Sequence, residues 1–166
     1  MSKKPQARKE KIIAGLIDAR ECILGAASSL PAEKQDEVFL GVWSVKDLLA
    51  HLAGWDYTNI EAAKEILAGQ LPSFYAHHDR GWKSYNASLV AQYKQEDYAA
   101  LLASVRGSHQ ELIDFLRTVP AEEFDKDRGL RAGRYKVTIA RLLQVEISDE
   151  KKHCAQIREF GEKGRA

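Results

Sequence analysis

Residues 43–56 read WSVKDLLAHLAGWD. Ser44 is a good N-cap, because its hydroxyl oxygen can accept one of the N–H groups a helix leaves unpaired in its first turn. Asp47, three residues on, adds negative charge where the helix dipole favours it. Val45, Leu48, Leu49 and Leu52 then recur at helical spacing, and Ala63, Ile66 and Leu67 continue the stripe until Gly69 and Pro72 end it. The spacing predicts a long amphipathic helix with one buried face.

The same periodicity recurs on both sides of it. A first helix is predicted from about Gln6 to Leu30, with Ile12, Ile13, Leu16, Ile17, Ile23, Leu24 and Ala27 on its apolar stripe and Pro31 after its end. A third long helix is expected from near Gln95 to Val119, carrying Tyr98, Leu101, Leu102, Val105, Leu112, Ile113 and Leu116, with Pro120 as its breaker. A fourth follows from about Val137 to Phe160. Between the second and third, residues 69–82 look irregular, and SYNASLVAQY at 84–93 suggests a short extra helix. DKDRGLRAGRYK at 125–136 reads as a polar loop, and no strand pattern or internal repeat is visible. The fold class expected is all-α, a four-helix bundle with one long crossover between the second and third helices. Residues 1–166 form one domain in this reading, with 1–7 and 161–166 as frayed termini.

Composition sets limits on function. Hydrophobic residues make up 45% and charged residues 30%, an ordinary balance for a soluble globular chain. The formal net charge of +1 gives no sign of a general nucleic-acid surface, so nucleic acid is not expected as a partner. No apolar run approaches the roughly 18 residues needed to span a bilayer, so a membrane partner is not expected either. The basic start, MSKKPQARKEK, contains Pro5 and lacks the apolar core of a signal peptide. Cys22 and Cys154 form no CxxC or metal-knuckle spacing and are expected as reduced, buried thiols of a cytoplasmic protein.

At about 100° per residue, the centre of each apolar stripe falls close to an ionisable side chain. On the first helix it is Arg20; on the second it is Asp56, with Asn59 nearby. The third stripe contains His109, and the fourth contains Glu150 flanked by Glu146 and His153. Burying an unpaired charge costs several kcal/mol, so these groups should meet one another or a ligand. One reading is a buried ion-pair network, for example Arg20 with Asp56 or Glu150, that sets helix register. The other is a cavity lined by part of the cluster that binds a metal or substrate.

Spacing also outlines a candidate metal site. Asp47, His51 and Trp55 stand at i, i+4 and i+8 beside the apolar stripe, so His51 can face a groove and Trp55 can pack at a cavity edge. Asp149 and His153 share a face of the fourth helix. Two neutral imidazoles and one carboxylate make a three-ligand set with open positions, suited to Zn, Ni, Fe or Mn. Glu150 is an alternative third ligand through its Glu-x-x-His spacing to His153, and Glu146 can serve beside the metal or as a base. Trp43 is a candidate staple against the second helix. His77 and His78, beside Tyr75 and Asp79 in the crossover, are read as solvated or as part of a lid, not as ligands.

WSVKDLLAHLAGWD and DEKKHCAQI together resemble the DinB superfamily of four-helix bundles, a fold shared with thiol-dependent transferases and isomerases. RGWKSYNASLVAQYKQEDYAALLASVRGSHQELIDFL resembles the DfsB or ClbS-type branch, and the likeness covers roughly residues 8–160. The resemblance implies a metal held by three histidines, one on the second helix and an H-x-x-x-H pair on the last. Carried over, His51 and His153 take the outer positions and Asp149 falls on the middle one, so this chain reads D-x-x-x-H. That departure is compatible with a two-His-one-carboxylate site or with lost metal binding. Metal-assisted hydrolysis or thiol transfer on a reactive small molecule is the chemistry implied, with Glu150 or Glu146 as base and protection as the role. The alternatives are a non-catalytic bundle that binds a small molecule and a dimeric scaffold.

Overall fold

The computed structural model describes residues 3–77 and 81–163. Helix α1 spans Lys3–Ser28, α2 Val45–Leu67, α3 Trp82–Tyr93, α4 Tyr98–Thr118 and α5 Ile139–Glu162. The four long elements are the helices expected from periodicity, and α3 is the short one read at 84–93. Each late start has its own cap. Ser44 and Asp47 form a reciprocal capping box at α2, with the Asp47 N–H donating to Ser44 Oγ at 3.2 Å and the Ser44 N–H to Asp47 Oδ2 at 2.9 Å. Asp97 accepts from the Ala100 N–H at α4, and Thr138 from the Arg141 N–H at α5.

Three expectations need correction. Residues 3–7 and 161–162 are helical instead of frayed. Nearby, Lys9 Nζ donates to the carbonyls of Arg117 and Val119 at 2.7 and 2.6 Å, which ties the first turns of α1 to the end of α4. Two small antiparallel hairpins also occur where no strand was expected: β1 (Val38–Leu40) with β2 (Trp43–Ser44), and β3 (Arg131–Ala132) with β4 (Tyr135–Lys136). Strands of two or three residues are too short for an alternating pattern, and the turns rest on Gly41 and Gly133, whose φ values are +62° and +57°. Finally, Cys22 and Cys154 are joined in a disulfide, their Cα atoms 5.9 Å apart, instead of being reduced thiols. They are 132 residues apart, and only the packing of α1 along α5 brings them together. Because disulfides persist in oxidising compartments, cysteine usage no longer argues for a reducing cytoplasm. No described helix is long and apolar enough to cross a membrane.

Packing is uneven around the bundle. α1 runs along α5, and α2 packs along both α4 and α3, whereas α2 and α5 touch at few places. The α2–α3 approach depends on Gly54, where a Cβ would stand 2.7 Å from the Leu89 Cβ. The apolar core is divided in two. One half holds Ile12, Leu16, Ile66, Leu112 and Leu143; the other holds Ile23, Leu24, Leu52, Val105 and Cys154. Along every long helix, the residues at the division are polar: Arg20, Asp56, Ser108 with His109, and Glu150.

Candidate functional site

The dividing layer is built around Arg20, whose side chain is 1% exposed, with Asp56 at 0% and Glu150 at 1%. Its guanidinium donates to Asp56 Oδ2 and Oδ1 at 2.8 and 2.9 Å, and to Glu150 Oε2 and Oε1 at 3.1 and 2.6 Å. A further N–H reaches the Val105 carbonyl at 3.3 Å. Ser108 Oγ donates to Asp56 at 2.6 Å. Burial pushes the Asp56 carboxyl up, but the charge of Arg20, joined by the neighbouring His109 and the Arg20 hydrogen bonds, outweighs it and holds the group below its ordinary value. The same pair of carboxylates holds Arg20 charged against its own burial. His109 Nδ1 lies 3.7 Å from Asp56 Oδ1, within ion-pair reach but beyond a direct hydrogen bond, and neither ring nitrogen has a closer hydrogen-bond partner.

Asp56, His109 and Glu150 can each bring a ligand atom within 4.8 Å of the others, the one such group of three among the described residues. The spacing is metal-like, but Arg20 already occupies the position of the cation. A metal ion there would have to displace a guanidinium that engages both oxygens of each carboxylate.

Beside this layer, where α2 and α5 part, lies a cavity of about 840 Å³. One wall is aromatic. Trp55 and Trp82 have ring centroids 5.2 Å apart, Phe74 meets Trp55 at 5.4 Å, and Tyr75 stacks on Phe74 at 4.3 Å. Trp55 is held by its indole N–H, which donates to Asn86 Oδ1 at 3.0 Å. Crossover, α3 and the β3–β4 hairpin thus close over a gap that helix packing alone leaves open. His77 stacks on Tyr85 at the crossover's end, away from the polar wall, and His78 and Asp79 lie outside the described residues.

A polar wall adjoins the aromatic one, with His51 and Asn59 from α2 and Glu146, Glu150 and His153 from α5; the His51 ring lies 4.7 Å from Trp43 and 6.2 Å from Trp55. His51 Nδ1 is buried without a partner. Burial, reinforced by His153 and Arg20, pushes its imidazole down to about 3, so the ring is neutral. The rings of His51 and His153 stand 6.1 Å apart and nearly perpendicular, and His153 Nδ1 pairs with Gln156 Oε1 at 2.8 Å. Asn59 is 1% exposed, and its amide, closed to solvent, stands beside the Glu146 carboxyl. Glu146 is pushed up to about 8 by burial and by the negative charge of Glu150 and Asp56, against the opposing pull of Arg20 and the nearby Asn59 amide.

The structure therefore sorts the residues singled out from sequence. His51 and His153 come ring to ring. Asp149 sits exposed on the cavity rim, 3.4 Å from Lys152 Nζ. Glu150 gives both oxygens to Arg20, which leaves Glu146 as the cavity carboxyl without a bidentate cation. Asn59 lies on the inward stripe of α2, as its spacing predicts, and its place beside Glu146 is set by the packing of α5. Phe74 and Trp82 carry no periodic signal in the sequence, because the first lies in the irregular crossover and the second only opens α3.

Residues 16–157 match the sequence model of the DinB superfamily. No curated protein matches by sequence. Among solved structures, the colibactin self-resistance protein ClbS in complex with a dsDNA is similar, at 19% identity over 95% of this chain and 97% of that one, with a TM-score of 0.74. DfsB, described as a sibling lethal factor precursor, is similar at 16% identity over 95% and 96%, also with a TM-score of 0.74. An uncharacterised protein from Escherichia coli UTI89 follows at 17% identity over 92% and 91%, with a TM-score of 0.68. At such identities the likeness establishes a shared fold. The dsDNA bound to ClbS overturns the expectation that nucleic acid is excluded as a partner. A net charge near zero does not forbid such binding, because phosphates respond to the local placement of Lys and Arg and not to their sum.

Proposed function

The chain belongs to the DinB superfamily, and from that premise we propose that it is a protective protein that takes a reactive small molecule into the α2–α5 cavity and hydrolyses it. The observation that carries the reading is the polar wall: a neutral imidazole with an unpaired ring nitrogen, beside a carboxyl whose proton affinity sits near neutrality. The self-resistance role named for the similar ClbS supports protection as the purpose.

Glu146 acts as the base. Its ionised form takes a proton from a water as the water oxygen bonds to the electrophilic carbon; the bond to the leaving atom breaks, and Glu146 returns the proton to that atom. The net change is addition of water. His51, kept neutral, accepts or donates one hydrogen bond to the substrate according to its tautomer. A divalent metal is compatible with part of this wall: His51 and His153 would hold it, whereas Asp149, turned to Lys152, does not come within 4.8 Å of both rings. When bound, such an ion lowers the pKa of a coordinated water. Metal content measured on wild type and His51→Ala checks that part separately.

With an aryl epoxide or activated ester as probe, Glu146→Gln is expected to lower kcat by about 10²–10⁴ while leaving binding intact. The wild-type rate should climb with pH through about 8 as Glu146 ionises. Turnover by Glu146→Gln at the wild-type rate would refute the assignment. A second reading is favoured by three cations, Lys136, Arg141 and Lys152, among the residues that line the cavity. There a DNA duplex would dock, a partner class also seen with the similar ClbS, which is in complex with a dsDNA. Salt-dependent binding of a labelled duplex, weakened by Arg141→Ala, tests it.

A further inference from the structure

We infer that the ligand of the α2–α5 cavity is an aromatic organic cation, an ammonium or amidinium carried on a planar ring, with the ring against the Trp55–Trp82 wall and the positive charge beside Glu146. The inference rests on the cavity being the ligand site, as proposed above, and adds the chemical class.

The sign of the charge follows from the buried layer. There one guanidinium, Arg20, faces two carboxylates, Asp56 and Glu150, a net charge of −1. Arg20 has no N–H to spare for an incoming anion, since its five donated bonds go to Asp56, Glu150 and Val105. Glu146 adjoins this layer, half-buried on the cavity surface and without an ion-pair partner among the described residues. Burial and the charges of Glu150 and Asp56 oppose its ionisation, and Arg20 with the Asn59 amide offsets them only in part. His51 is neutral and adds no positive charge. A cation placed here balances the excess and favours the ionised form of Glu146, the form the proposed hydrolysis uses. An anion would add to the imbalance. The cations among the lining residues do not reverse the sign. Lys136, Arg141 and Lys152 are exposed, where water and salt screen them, and Lys136 and Lys152 already pair with Asp127 and Asp149 at 3.0 and 3.4 Å.

The aromatic wall suits the same ligand. Trp55, Trp82 and Phe74 contact one another with centroids 5.2–6.1 Å apart. Ring faces carry negative potential, so they attract a cation as well as stacking on a planar ring. Trp55 stands one turn before Asn59 on α2, and Asn59 stands beside Glu146, so wall and carboxyl are neighbours. The hydrogen bond from Trp55 to Asn86 fixes the indole before any ligand arrives, which lowers the ordering cost of binding. The cavity volume of about 840 Å³ admits a molecule of two or more rings.

The test is calorimetry on the intact oxidised protein with naphthylethylammonium, naphthylethanol and naphthylacetate, which share a ring and differ in charge. A pH of about 8.5 keeps imidazoles neutral and the aliphatic ammonium charged. The ammonium is expected to bind at least about tenfold more tightly than the alcohol, as a desolvated cation–π contact allows, and the acetate more weakly than either. Glu146→Gln removes charge and keeps shape, so it should cut the ammonium preference about threefold or more and leave the alcohol unaffected. Equal affinities, tighter binding of the alcohol or acetate, or a preference undiminished in Glu146→Gln overturns the inference. The wild-type comparison decides by itself should the variant not fold. The two readings fail differently. Hydrolysis of electrophiles without an ammonium preference sinks only the ligand class; an ammonium preference cut in Glu146→Gln, with that variant as active as wild type, upholds the ligand class and sinks the hydrolase.

Discussion

Replacing Arg20 by Met removes the one cation of the buried layer and leaves Asp56 and Glu150 facing each other without water. Four charge-assisted hydrogen bonds to carboxylate oxygens disappear, along with one to the Val105 carbonyl. The net value of the network in the folded protein is small, because desolvating three charges cancels most of their attraction. Breaking it from one side is different, since the desolvation cost stays while the compensation goes. Loss of one partner from a buried pair costs about 3–5 kcal/mol. For a chain of this size that is a fall in Tm of roughly 6–20 °C. Urea denaturation at neutral pH, followed by far-UV circular dichroism, measures it. Two controls carry the logic. Acidification should recover part of the loss in Arg20→Met, because protonated carboxyls are cheaper to bury. The triple variant Arg20→Met, Asp56→Leu, Glu150→Leu should lie within about 2 kcal/mol of wild type or above it, since nothing charged remains unpaired. A loss below about 1 kcal/mol in Arg20→Met, or a triple variant as unstable as the single, would refute the account of the layer.

Other perturbations have equally definite signs. The Cys22–Cys154 bond closes a loop of 132 residues, and chain entropy puts its stabilisation at up to about 5 kcal/mol. Cys22→Ser and reduced wild type should therefore melt at similarly lowered temperatures, whereas reactive thiols in unfolded, unreduced protein would contradict the bond. His51 is held near 3 against an ordinary 6.5, so between those values the unfolded chain binds more protons and stability falls as pH drops. His51→Gln should flatten that acid limb, seen as a smaller change in urea midpoint between about pH 7 and pH 5. Glu146 acts in the opposite sense: its folded value near 8 lies above the ordinary 4.5, so its contribution is lost as pH rises through 8. Gly54→Ala gains about 1 kcal/mol of helix propensity but forces a Cβ to 2.7 Å from Leu89, an overpacking cost of about 1–3 kcal/mol. The clash should win, and a raised Tm would show that α3 yields.

Much of this protein was decided by local chemistry. Helices form where apolar residues repeat at helical spacing and stop where caps and Pro31, Pro72 and Pro120 stand, and those signals act within one or two turns. The inward aim of Arg20, Asp56, His109 and Glu150 was visible for the same reason, because a side chain's face on a helix is set by its position in the chain alone. Which of them would touch was not visible. That Arg20 meets both carboxylates, that Cys22 meets Cys154, and that Asp149 turns to Lys152 beside a His51–His153 pair are matters of which helices lie side by side. Neighbour choice depends on summed packing over the whole bundle, on glycines such as Gly54 that let one pair approach, and on the thin α2–α5 seam. The cavity exists because that seam does not close, and a gap between helices has no periodicity for a sequence to carry.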